Sequence, residues 1–218
     1  DEEGLDEGGV RKEFFLVLMG QLMSPDYGMF EYHPETRFHW FRRDSLEEPG
    51  AFMLVGIAVG LALFNSTLLD IQFPPVIYRK LHAAVQYARQ HRNSKTAKFG
   101  ESHYSPTLGD VAEVYPAIAN SLRHLLHYEG TDVENVFGLT YEVPYEGLFG
   151  KPSSAELIPG GANVAVTAHN KFDFVKRYMS YLVNDSIETV FQQFAKGLLF
   201  MLSGPLVGKL TAEQLQTL

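Results

Sequence analysis

From residue 51 to 64 the chain reads Ala-Phe-Met-Leu-Val-Gly-Ile-Ala-Val-Gly-Leu-Ala-Leu-Phe, about 14 residues without a charge or a polar side chain. A helix that crosses a bilayer needs roughly 20 such residues, so this run is too short to span one. A helix apolar on every side instead belongs in the middle of a globular domain, covered by its neighbours. Gly56 and Gly60 stand four apart and share one face, where a second backbone can approach closely. The other elements are expected to be those that cover this helix.

The totals suit that expectation. Of 218 residues, 45% are apolar and 20% charged, and 16 Phe with 11 Tyr supply bulk for a large core. One large domain, or a domain carrying a smaller insert, accommodates such a chain. A net charge of −8 argues against nucleic acid as the main partner, because phosphate binding calls for a basic surface. The absence of cysteine excludes a disulfide, cysteine-ligated zinc and a thiol nucleophile within the chain, and fits an intracellular setting, cytoplasmic or nuclear. The acidic start is unlike a secretory leader. No membrane contact is expected.

Taken in order, the first nine residues form an acidic, glycine-rich arm. Phe14, Phe15, Leu18, Leu22 and Met23 then recur at helical spacing, an amphipathic helix that ends near Ser24-Pro25. Phe30 and Tyr32 alternate, as do Phe38 and Trp40, with Pro34-Glu35-Thr36 between them, which predicts a β-hairpin with an aromatic face. Beyond the apolar helix, Pro74-Pro75 open another helix through Tyr78, Leu81 and Val85. A polar, basic stretch from His91 to Gly100 reads as a surface loop. Ile118, Leu122, Leu125 and Leu126 mark one face of a helix starting at Pro116. Residues 139–143, 154–157 and 163–167 read as three short strands of a small meander, separated by Gly147, Gly150, Pro152 and Pro159-Gly160-Gly161. A helix over 171–182 stacks Phe174 on Tyr178. Asp185-Ser186 cap a further helix bearing Ile187, Val190, Phe191, Phe194 and Leu198, and a last short one begins near Thr211.

Catalytic signatures are missing. His124 and His127 lie three apart on a helix, but no third ligand stands at a recognisable spacing, and surface histidines are the plainer reading. The sequence carries no Gly-x-Ser-x-Gly elbow, no phosphate-binding glycine loop and no His-Glu-x-x-His pair. No cofactor and no metal are expected. From the residues alone the chain is a mostly helical α+β protein acting as a binding module.

A set of ordered motifs goes further. Glu3-Gly4-Leu5-Asp6-Glu7-Gly8-Gly9-Val10 with Glu13-Phe14-Phe15 resembles the opening of the HECT domain of ubiquitin ligases. Pro25-Asp26-Tyr27-Gly28-Met29-Phe30, Trp40-Phe41, Gly56-Ile57-Ala58-Val59-Gly60-Leu61-Ala62, Phe73-Pro74 and Tyr78-Arg79-Lys80-Leu81 continue the match. Ser121-Leu122, Leu125-Leu126, Tyr128-Glu129-Gly130, Leu148-Phe149-Gly150 and Phe174-Val175 complete it, over nearly the whole chain.

The resemblance implies the N-lobe of such a domain. It implies a larger helical subdomain with the β-hairpin, residues 1–107 with 187–218, and an inserted smaller α/β subdomain, residues 108–186. The smaller one would dock a ubiquitin-charged conjugating enzyme. Ubiquitin would then pass to a cysteine on a separate C-lobe of the parent chain, and on to a substrate lysine. The matching groove positions are Ile118, Leu122, Leu125, Asn135, Phe137, Leu139, Phe174 and Tyr178, with Leu126 in the core. On this reading Phe174→Ala removes docking and leaves the fold intact. Asn135 departs from the pattern where an acidic side chain would suit a basic partner, and the loop over about 88–108 is longer than the family needs. Lacking cysteine, the chain would be inactive alone. Two rivals stand beside this reading, a non-catalytic interaction scaffold of the same fold and a metal-dependent hydrolase using His124 and His127. The substrate is not legible.

Overall fold

A computed structural model describes residues 9–67, 69, 71–91, 104–201 and 211. The expected acidic arm, most of the basic loop and the helix after Thr211 lie outside the described residues. Within them the protein is α+β and mostly helical, with small antiparallel sheets. Its contacts divide the chain into two compact units, Asp1–Tyr104 with Ile187–Leu218, and Ser105–Ser186.

The first unit holds α1 (Gly9–Leu22), β1 (Phe30–His33), β2 (Phe38–Phe41), α2 (Pro49–Phe64), α3 (Pro75–Gln90) and, after the second unit in sequence, α8 (Glu188–Met201). Pro49 starts α2 and Pro75 starts α3, each at a position where the missing N–H costs nothing. The apolar helix α2 packs on α8 through glycine. A Cβ on Gly56 would run into the carbonyl oxygen of Phe194, one on Gly197 into that of Met53, and one on Gly60 would lie 2.6 Å from Cβ of Met201. Glycines thus stand on both sides of the crossing, and the two backbones meet where any side chain would hold them apart.

Around this crossing lies an aromatic cluster centred on Phe41. Its ring is 5.1 Å from Phe30, 5.3 Å from Phe194, 6.0 Å from Phe191 and 6.1 Å from Phe52, and stacks on Phe73 at 6.3 Å. The expected hairpin is present, with Phe30 opposite Phe41 and Tyr32 opposite His39. Its aromatic faces differ from the expectation. Directly opposed residues share a face, so Phe30 and Phe41 go together and Trp40, opposite Glu31, points the other way; all three are buried, whereas Tyr32 is exposed. Lys80 is buried too, with Nζ 4.6 Å from the centre of the Phe191 ring.

Two burial expectations fail here. The helix α2 is not covered on every side, because Leu54 is 66% and Phe64 74% exposed while Phe52, Val55, Val59 and Ala62 are buried. Close packing on α8 occupies one face, and the described residues leave the opposite face open. In α1, Phe15 and Met19 are buried but Phe14 is exposed together with Val10 and Val17. The helix is apolar on more faces than it buries.

The second unit holds α4 (Leu108–Val114), α5 (Pro116–His127), α6 (Val133–Phe137), β3 (Glu142–Glu146), β4 (Pro152–Glu156) and α7 (Lys171–Ser180). The three-stranded meander reduces to one antiparallel pair, Glu142↔Glu156 to Glu146↔Pro152. Residues 163–167 contribute a single bridge, Thr140↔Ala165. Beyond α7 a π-helical turn, Tyr181–Asp185, takes the place of a fresh capped start to the next helix, and Asp185 accepts a hydrogen bond from the Ser180 hydroxyl at 3.2 Å.

The space around each glycine predicts opposite signs for two alanine substitutions, one at the α2–α8 crossing and one away from it. Gly197→Ala is expected to cost about 3 kcal/mol or more through overpacking. Gly20→Ala, in α1 with open space around its Cβ, is expected to add roughly 0.5–1 kcal/mol. Denaturant unfolding of both variants checks this.

Candidate functional site

The Ser105–Ser186 unit is built around one apolar cluster of Leu122, Leu125, Val133, Tyr141, Val166, Phe174 and Val175. Helix α5 supplies the first two from a single face, and Ile118 continues that face one turn earlier, half-buried against the cluster. Helix α4, absent from the sequence expectations, precedes it. Thr107 Oγ1 accepts from the Asp110 N–H at 3.3 Å, and Asp110 Oδ2 accepts from the Thr107 N–H at 2.6 Å, a reciprocal cap that fixes its start. The Thr-x-x-Asp spacing carried that signal.

Helix α6 was missed as well, being only Val133–Phe137. Gly138 ends it with φ 58°, its N–H bonded to the Glu134 carbonyl at 3.0 Å. The turn brings Phe137 and Leu139 against the cluster, both half-buried. Leu139 is held by its carbonyl, which accepts from the Val166 N–H at 2.8 Å.

The start of α7 is fastened by Thr167 and Asn170. Asn170 Oδ1 accepts from the Thr167 N–H at 2.7 Å, and Asn170 Nδ2 donates to the Ala165 carbonyl at 3.0 Å. The Tyr141 hydroxyl reaches the Asn170 carbonyl at 3.1 Å and Asp173 Oδ2 at 3.2 Å. Arg177 Nε donates to the same Asp173 oxygen at 2.7 Å. That hydrogen bond holds the Asp173 carboxyl below the usual aspartate range. Burial, then the Asp173 charge, pushes the Tyr141 hydroxyl above the ordinary tyrosine value.

The eight groove positions named from sequence therefore fall into three groups. Leu122, Leu125 and Phe174 are core. Phe174 is 0% exposed, with its ring edge-on to Tyr141 at 5.4 Å and to Tyr178 at 5.6 Å. Ile118, Phe137, Leu139 and Tyr178 are half-buried and packed against that core. Asn135 is exposed on α6, beside exposed Glu134 and near exposed Asp132 and Glu129. Leu126, expected in the core, is half-buried at its edge. The seven apolar members thus belong to one cluster, four half-buried at its surface and three in its core.

Among the described residues no three His, Asp or Glu side chains are placed to share a metal ion. His127 Nδ1 instead lies 2.8 Å from the Arg123 carbonyl of its own helix. Among the described residues, no helix is long and apolar enough to cross a membrane. Phe149, between β3 and β4, is 85% exposed with a left-handed backbone, φ 59°.

Comparison with known proteins then gives a consistent result. A family model described as HECT-domain (ubiquitin-transferase) matches residues 16–218. The "Probable E3 ubiquitin-protein ligase HECTD2" of Mus musculus is 40% identical over 90% of this chain and 24% of its own length. The "Probable E3 ubiquitin-protein ligase HERC4" of Mus musculus is 36% identical over 90% of this chain and 17% of its own. The "Probable E3 ubiquitin-protein ligase HUL4" of Eremothecium gossypii is 31% identical over 100% of this chain and 25% of its own. The chain spans a quarter or less of each of these relatives.

Two stability measurements follow from the burial pattern. Phe174→Ala is expected to lower stability by about 3–5 kcal/mol, read as early loss of cooperative unfolding in the Ser105–Ser186 unit. Phe149→Gly is expected to raise it by about 1 kcal/mol by relieving the left-handed strain, read from the denaturation midpoint.

Proposed function

Because this chain belongs to the HECT-domain (ubiquitin-transferase) family, we propose that it is the N-lobe part of a ubiquitin ligase and docks a ubiquitin-charged conjugating enzyme. The Ser105–Ser186 unit is the docking subdomain, and the unit formed by the two ends of the chain is the larger subdomain of the lobe. The observation that carries this reading is the half-buried apolar rim, Ile118, Phe137, Leu139 and Tyr178, seated on a core of Leu122, Leu125 and Phe174. A rim of this kind takes an inserted apolar side chain from a partner loop, while the core beneath fixes its shape.

Magnitudes fit a transient contact. An inserted aromatic side chain buries about 150–250 Å². At about 25 cal/mol per Å² that yields roughly 4–6 kcal/mol. Ordering the partner loop and desolvating polar groups offset part of it. The exposed acidic groups on and before α6 favour a partner with a basic face, and Asn135 removes one charge from that set.

The role of this chain is proximity rather than bond-making. It has no cysteine, so the acceptor thiol belongs to another part of the parent protein. In the transfer, that thiolate attacks the thioester carbonyl carbon of the charged conjugating enzyme. The conjugating enzyme's thiolate leaves, and a new thioester forms. A lysine amine of the substrate then displaces the ligase thiol. Holding the donor on the N-lobe raises its effective concentration at the acceptor.

The rim is tested by substitution. In fluorescence titrations of a binding conjugating enzyme, Tyr178→Ala and Leu139→Asp are each expected to weaken affinity by about tenfold or more. Both keep their cooperative thermal transition. Affinity unchanged in both variants would remove the rim from the interface.

A further inference from the structure

Lys171 opens α7 and is a buried lysine, 8% exposed. Its Nζ donates to the Tyr128 carbonyl at 2.6 Å and to the Leu126 carbonyl at 3.1 Å. Both acceptors lie at the C-terminal end of α5, where a helix leaves its last carbonyls without internal partners. The same end carries the negative pole of the helix dipole, so the ammonium meets both needs. A cation withdrawn from water at this place is worth its desolvation only if those bonds are kept.

The tie extends to the rim through Tyr128. With its carbonyl held by Lys171, the Tyr128 ring stands edge-on to Phe137, 5.4 Å between centres. Its hydroxyl donates to Asp132 Oδ1 at 2.6 Å. Gly130 makes room for this, since a Cβ there would lie 2.5 Å from the tyrosine ring. A continuous path thus runs from the Lys171 ammonium through the Tyr128 backbone and ring to Phe137.

We propose that Lys171 is a positioning residue of the docking rim, setting the end of α5 and the Tyr128–Phe137 wall through two backbone carbonyls. The assignment rests on the docking reading above and adds to it a residue that never meets the partner. It differs from a core residue in its expected signature. Its ammonium, not its volume, holds the wall.

The experiment uses the 218-residue chain, a conjugating enzyme that binds it, and the variants K171M and K171R at a temperature where all are folded. K171M keeps the stem and loses the donors, and is expected to bind about tenfold more weakly. It should also lose the Tyr128–Phe137 ring contact in aromatic NOE spectra. K171R keeps a cation with donors and is expected to bind within about threefold of the parent. A folded K171M with parental affinity overturns the assignment, as does a K171R no better than K171M. If K171M fails to fold, K171R decides alone, with near-parental affinity supporting the role and a tenfold loss overturning it. A parent chain that binds no conjugating enzyme would sink the docking reading itself, and the docking role of Lys171 with it.

Discussion

Helices α2 and α8 cross with their backbones touching, and the first unit depends on that crossing. Gly56 and Gly197 each face backbone of the other helix, and Gly60 faces the Cβ of Met201. The contact is specific in a way that apolar surface alone is not, because a Cβ at Gly56 or Gly197 would run into the backbone of the other helix. Phe41, Phe52, Phe73, Phe191 and Phe194 then close around the crossing. Burial of those rings supplies the driving force, and the glycines decide the geometry in which it is gained.

The second unit is organised differently, with half-buried apolar side chains packed on a small core. Phe174 is fixed between Tyr141 and Tyr178, and Tyr141 is in turn tied by its hydroxyl to the start of α7. Lys171 ties that same start to the end of α5. Polar anchors therefore hold both walls of the apolar rim. Ile118, Phe137, Leu139 and Tyr178 are half-buried against that core.

Much of this was legible in the sequence, and the misses have physical causes. The 51–64 run announced α2, and the Gly56/Gly60 spacing announced a close neighbour, although Gly197, on the partner helix, carried no such mark. The helical stripe of α5 and the Phe174–Tyr178 stacking were readable because period 3.6 is a strong signal over ten residues or more. Helices α4 and α6 are too short to show a period, and only their caps, Thr107 with Asp110 and Gly138, betray them. Periodicity also cannot separate a fully buried position from a half-buried one, which is why Phe174 and Leu122 stood beside Tyr178 and Leu139. Lys171 was invisible for a plain reason: a lysine at a helix start reads as solvated, and its acceptors are backbone atoms more than 40 residues away.

The central claim is that the half-buried rim of the Ser105–Ser186 unit, and not the exposed apolar faces of α1 and α2, meets the conjugating enzyme. Chemical-shift mapping on the isotopically labelled chain tests it directly, with an unlabelled conjugating enzyme as titrant. The account predicts saturable shifts centred on Ile118, Phe137, Leu139 and Tyr178, with Phe14, Leu54 and Phe64 unmoved. Saturable shifts confined to α1 and α2 would contradict it.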